Sequence, residues 1–320
     1  MDKMDFGRRS FLVTAAAAMA VGGPAWGKTR IEPGIYPIAW TPCTADGRLD
    51  PALLTAQADF CERGRVRGIV WPQLASAWDT LTEEEWQAGA AALTVRSGKR
   101  SLKVVLGVQA PGGDVSHAIQ RAHSAARLGA DAIISLPPAG KDHAAILAYY
   151  KALGAATPLP LMMQAVGDMG VDLVTEIAGQ VPTLAAIKDE AADPLKRAPQ
   201  ILSGTSLEDF SGGGGHTLLA EMESGFSGSC PYVGLSDLFQ RSFDLWKAGD
   251  RSRAFEMFGR ILAFDSLPGA NEYVLTVRGV FHEDTLLRRS GNAAPKVIES
   301  AQKQLIRESF HRYLDAYRRA

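Results

Sequence analysis

The chain has 320 residues, 46% hydrophobic, 22% charged and 8% aromatic, with 34 Lys and Arg set against 35 Asp and Glu. Such a chain is long enough for a sizeable core, in one large domain or two. The even charge balance implies no strongly basic face, which argues against nucleic acid as a partner. Six scattered histidines without ligand spacing argue against a metal centre, and no cofactor is expected.

Residues 1–27 read as a leader. Arg8 and Arg9 in GRRSFLV precede an Ala-rich run from Thr14 to Val21, and Ala25 and Gly27 are the small residues before a cut after Gly27. This resembles a twin-arginine export signal, so the mature protein is expected in the periplasm or otherwise exported, with no contact with a membrane beyond the signal. The apolar run falls short of the ~20 residues of a spanning helix. Cys43, Cys61 and Cys230 cannot all pair; one disulfide or three free thiols both fit an exported domain of this size.

From residue 28 to 234 the pattern alternates. Strand signals fall at Gly34 to Trp40, Val66 to Trp71, Leu102 to Val108, Ala130 to Leu136, Leu159 to Gln164, Thr183 to Lys188, Gln200 to Ser203 and Gly225 to Cys230. Helical segments separate them, among them Pro51 to Arg63 with Asp50 as N-cap and a run capped by Thr82 with Glu85 at the capping-box position. Several strands are continuous apolar runs, as expected where both faces of a parallel sheet are buried. Eight such units in about 200 residues predict an α/β fold, a (β/α)8 TIM barrel. A doubly wound open sheet is the alternative, and no GxGxxG follows the first strand to support it. Residues 235–320 read as helices only, at Ser236 to Ala248, Arg251 to Phe264, about Gly269 to Val280 and Pro295 to Tyr317. They are expected to pack on the barrel as a C-terminal helical segment.

Within the sixth strand, alternation places Leu184, Ala186 and Lys188 on one face, so an amine ends an apolar row. Burial disfavours the charged form of such an amine, and a neutral lysine can attack a ketone to form a Schiff base. A strand-end lysine that is simply solvated is the plainer reading of this stretch alone.

Colinear motifs extend that reading. Thr41-Pro42, Asp46-Gly47, LTEEEW from Leu81, VVLGV from Val104, LGADAIISLPP from Leu128, AAIKDEAAD around Lys188, ILSG from Ile201 and Gly225-x-x-Gly228 together resemble the dihydrodipicolinate synthase and N-acetylneuraminate lyase family of Schiff-base aldolases. The resemblance covers the chain from about Gly34 onward. It implies a TIM barrel with a C-terminal helical segment, Lys188 as the residue that condenses with pyruvate or a related 2-keto acid, and a homo-oligomer.

The departures are specific. Where the family carries GTTGE, this chain has Gln73, Leu74, Ala75, Ser76 and Ala77, and both hydroxyl positions are lost. Where the family has an acid/base Tyr after the fifth strand, this chain has Gln164, which cannot exchange a proton near neutral pH. The Tyr pair after Pro137 is replaced by Pro138 and Ala139. Ser76, Ser203, Thr205 and Tyr232 are the candidates by position for a replacement donor, and Trp40, Trp71 and Trp78 for a flat pocket wall, with core packing the simpler role for Trp71. Gly212 to Gly215 precede a helix beginning near His216, where exposed amides could hold an anion, although a plain loop is the simpler reading. His216 has no partner visible in the sequence and reads as solvated. Cys230 ends the last strand and faces either the pocket or the core. Three readings stay open: a divergent imine-forming lyase, aldolase or dehydratase; an exported non-catalytic barrel that binds a small acid; and an enzyme that uses Lys188 only as a cation.

Overall fold

The computed structural model describes residues 30–94 and 101–320, so the expected leader lies outside the described residues. Eight parallel strands form one sheet: β1 (Gly34–Ile35), β2 (Gly68–Trp71), β3 (Lys103–Gly107), β4 (Ala132–Ser135), β5 (Leu161–Ala165), β6 (Leu184–Asp189), β7 (Glu208–Ser211) and β8 (Gly228–Ser229). Each pairs with the next from β2 to β8, and β8 pairs with β1 through Gly34 opposite Gly228 and Ile35 opposite Ser229. The remaining seam is closed by a bridge between Ile38 and Val70, where the Val70 amide donates to the Pro37 carbonyl at 2.9 Å. The fold is therefore a (β/α)8 barrel.

Helices α1 (Pro51–Arg63), α2 (Glu83–Thr94), α3 (Val115–Leu128), α4 (His143–Ala156), α5 (Val171–Gln180), α6 (Pro194–Gly204) and α7 (Leu218–Glu223) follow the first seven strands. Helix α8 (Ser236–Lys247) follows β8 and packs on β1, with Gln240 Oε1 accepting from the amides of Ile35 and Arg67 at 3.0 and 3.2 Å. Beyond it come α9 (Arg251–Asp265), α10 (Ala270–Val277) and α11 (Ser300–Tyr313), close to the expected helical runs.

Period-two alternation sorts the strand residues into two cores. Tyr36, Val70, Val105, Ile134, Met162, Ala186, Phe210 and Cys230 fill the lumen, and the larger cluster lies between sheet and helices. The expected row of Leu184, Ala186 and Lys188 is broken at its first member. The β5–β6 register shifts after Leu161, which faces Leu184, to Met162, which faces Ala186. The extra residue, Ala185, turns Leu184 out to the helix layer and leaves Ala186 and Lys188 inside.

The expected seventh strand needs correction. Gln200 to Ser203 lie in α6, where a helical period buries Arg197, Ala198 and Ile201 behind Pro194 in the first turn. The strand is β7, and its sequence EDFS hides an apolar lumen residue, Phe210, between polar neighbours that face outward into a buried polar cluster. Ser203 and Thr205 consequently sit at the C-terminal end of a helix, beside Thr175 and Gly179 of α5, and so at the end of the barrel away from Lys188. Each hydroxyl donates to its own helix, Ser203 to Gln200 O at 3.0 Å and Thr205 to Ile201 O at 2.8 Å.

The C-terminal segment is clasped to the barrel. Leu286–Leu287 pairs antiparallel with Pro42–Cys43, and Arg288 donates to both Glu85 oxygens at 2.6 and 2.7 Å. Glu85 also closes the expected capping box with Thr82, its amide donating to Thr82 Oγ1 at 3.2 Å while its carboxylate accepts from the Thr82 amide at 3.1 Å.

Candidate active site

Lys188 is the last lumen-facing residue of β6, two positions beyond Ala186, and its neighbours across the sheet are Gln164 on β5 and Phe210 on β7. It is 3% exposed. Its Nζ opens toward a cavity of about 470 Å³ at the C-terminal mouth of the barrel, lined by Ile38, Leu74, Ala75, Glu190, Cys230 and Tyr232, with Gly212 to Gly214 and His216 on one side. This is the end of the barrel where the βα loops converge.

The amine is paired. Glu190, two residues further along the chain, places Oε1 on Lys188 Nζ, and its Oε2 accepts from Gln164 Nε2 at 2.9 Å. The Glu190 amide donates to Ala165 O at 2.9 Å, which carries the sheet pairing past the end of β6 and fixes the carboxylate's root. Gln164 Oε1 is buried with no hydrogen-bond partner among the described residues. Sequence reasoning missed Glu190, since an acid in DEAAD reads as part of a solvated turn. Its signal was the parity of the strand, which returns residue 190 to the side of Lys188.

The Gly-rich stretch gives Glu190 its room. A Cβ added at Gly212 would lie 2.0 Å from Glu190 Cγ, so a side chain there would displace the carboxylate. The helix that follows, α7, has six residues and starts at Leu218 rather than near His216. His216 is not without a partner: its Nε2 lies 2.6 Å from Asp265 Oδ2 on α9.

The other candidates separate. Tyr232 lines the Lys188 cavity and stacks on Trp40, ring centroids 4.7 Å apart and 5° from parallel. Trp40 itself faces a neighbouring chamber of about 520 Å³, shared with Leu74, Ala75 and Tyr232 and walled by residues of the C-terminal segment such as Phe281, Arg289 and Ile298. Ser76 is a structural tie, its Oγ donating to Ala39 O at 2.6 Å and its carbonyl accepting from Thr41 Oγ1. Gln73 is buried and donates to Gln109 Oε1 at 3.2 Å, and Gln109 in turn donates to Pro72 O at 2.9 Å. Trp71 is fully buried and held by Nε1 donation to Thr41 Oγ1 at 3.0 Å, a packing role. All three cysteines are free, and burial pushes the Cys230 thiol up to about 12, against the pull of Lys188, so that it stays protonated at neutral pH.

Behind β6 and β7, on the helix side, lies a second polar cluster. Asp189, Asp209 and Glu221 are buried together, with Arg197 Nε 3.1 Å from Asp189 Oδ2 and Ser211 and Thr217 donating to Glu221 Oε1 at 2.6 and 2.5 Å. Among the described residues, neither Asp209 oxygen has a hydrogen-bond partner. Burial, reinforced by Asp189, pushes its carboxyl up to about 8.

A (β/α)8 barrel with a buried lysine ending the sixth strand is the class defined by this fold and site. Its family follows from comparison: the dihydrodipicolinate synthetase family model matches residues 32–305, and the chain belongs to that family. A 4-hydroxy-tetrahydrodipicolinate synthase of Stenotrophomonas maltophilia is 28% identical over 268 residues, covering 81% of this chain and 86% of that protein. Among solved structures, a dihydrodipicolinate synthase from Rhodopseudomonas palustris superposes with a TM-score of 0.76 at 22% identity, covering 89% of this chain and 99% of that one. A sialic acid aldolase from Ruminococcus gnavus does so with a TM-score of 0.76 at 15% identity, covering 89% and 100%.

Proposed function

We propose that this protein is a Schiff-base lyase or aldolase that acts on a pyruvate-like 2-keto acid through Lys188. The observation that carries the reading is the position of Nζ, buried in the lumen at the end of β6 and facing a cavity of about 470 Å³ at the barrel mouth. An amine held there attacks the ketone of a small 2-keto acid. The resulting protonated imine accepts the electron pair of the adjacent carbon-carbon or carbon-hydrogen bond, and a bond beside the former carbonyl then forms or breaks without a free carbanion. Membership of a family whose curated relatives are synthases of this kind supports the reading. The test is borohydride trapping with pyruvate and a panel of 2-keto acids, read by intact and peptide mass spectrometry. The expected outcome is a covalent mass gain on the peptide holding Lys188 and none in Lys188→Ala.

A second reading is favoured by one observation: Gln164 stands beside Lys188, where a tyrosine would exchange protons. On that reading the barrel binds a small acid without turning it over. Folded protein that binds 2-keto acids in calorimetry yet yields no adduct would establish it. We further propose export through the twin-arginine leader. N-terminal sequencing of protein recovered from the periplasm is expected to begin at Lys28.

A further inference from the structure

We propose that Glu190 is the catalytic acid/base of imine formation, carrying protons between Lys188 and the oxygen of the bound ketone; this rests on the imine reading above. The carboxylate is built for two positions. One oxygen contacts Lys188 Nζ, the other is held by Gln164 at 2.9 Å, and the side chain remains 21% exposed to the cavity in which a ketone would sit. Gly212 keeps the space that the Glu190 stem fills.

The other ionisable groups lining the cavity are less suited. His216 is drawn to Asp265 and its side chain is 59% exposed. The Cys230 thiol is pushed up to about 12, and burial raises the Tyr232 phenol above its ordinary value. Gln164 is in place but carries no proton it can release.

The proton count closes. Glu190 takes a proton from the Lys188 ammonium, and the freed nitrogen pair forms the C–N bond while the carbonyl π pair moves to oxygen. Protonated Glu190 gives its proton to that oxyanion, then takes one from the now positive nitrogen. The nitrogen pair next expels the hydroxyl, which receives the same proton and leaves as water. Glu190 ends as the carboxylate it began as, beside a protonated imine, and no other reactant is needed.

The experiment measures the rate of adduct formation with saturating pyruvate and excess cyanoborohydride in full-length wild type, Glu190→Gln, Glu190→Ala and Lys188→Ala. Glu190→Gln keeps the shape and a hydrogen bond to Lys188 but cannot shuttle protons, and is expected to trap pyruvate about 100-fold or more slowly, the range for losing a general acid/base. Added formate is expected to restore part of the rate to Glu190→Ala and none to Lys188→Ala. Trapping at the wild-type rate by Glu190→Gln overturns the assignment, as does a slowed Glu190→Ala that formate leaves unchanged. A wild-type protein that forms no adduct overturns the imine reading itself, and this assignment with it.

Discussion

Asp209 is a carboxyl group with no hydrogen bond to either oxygen from the described residues, facing Asp189, Arg197 and Glu221. Its carboxyl lies at about 8 in the fold and near 4 in the unfolded chain, so between those values the native state binds more protons. Its contribution to stability is therefore whole below about pH 4 and lost as pH rises through about 8. Asp209→Asn, which cannot ionise, is expected to unfold in urea with a midpoint that falls less between pH 5 and pH 9 than that of wild type. At the mouth, Gly212→Ala is expected to push Glu190 off Lys188 and slow pyruvate trapping while the far-ultraviolet spectrum stays native, since only a side chain must move. Lys188 was legible from sequence because an apolar strand ended in an amine. Glu190 was not, because the sequence does not show that Ala165 continues the ladder beyond Asp189.

Among the elements, α1, α2 and the C-terminal helices were legible from caps and period. Asp50 accepts from the amides of Ala52 and Leu53 at 2.9 and 3.2 Å, and the Thr82–Glu85 box formed as read. β7 was not legible, because its outward residues, Asp209 and Ser211, are polar and buried against a cluster that exists only in the folded chain. Nor was the second use of Glu85. Burial alone would raise its carboxyl, but Arg288 together with the Leu49 and Thr82 amides more than offsets this and holds it down to about 2. Arg288→Ala is expected to cost about 2 kcal/mol in urea unfolding at pH 7, the scale of charge-assisted hydrogen bonds to a partly buried carboxylate. A depressed carboxyl contributes stability above its unfolded value and loses it as pH falls, so the gap between variant and wild type should close as pH approaches about 2. Hydrogen exchange should show faster opening of Leu286 and Leu287 in the variant.

The molecule as a whole is locked at its far side by Arg278. Its guanidinium is fully buried, donates to Asp237 Oδ1 and Oδ2 at 2.7 and 2.8 Å, and lies over the rings of Phe60 and Phe310 at 4.4 and 5.2 Å. One residue thus joins α1, α8, α10 and α11. Arg278→Ala leaves the buried Asp237 carboxylate without its counter-charge, held by the Arg319 and Ala320 amides, and is expected to destabilise the protein by about 3 kcal/mol, measured by urea midpoint, with pyruvate trapping unchanged below the transition.

The chamber next to the lysine pocket has its own consequence. The two spaces meet at Leu74, Ala75 and Tyr232, and the outer one is walled by residues from Glu272 to Lys303, more than eighty positions along the chain from Lys188. A compound short enough to stay beside the amine never meets that wall. On the proposed reading, a longer one passes the Tyr232 ring and meets the wall. On that reading the reacting amine and the outer wall lie in separate stretches of sequence, and exchanging an exposed wall residue such as Val297 is expected to alter tolerance for chain length while the chemical step is left as it stands.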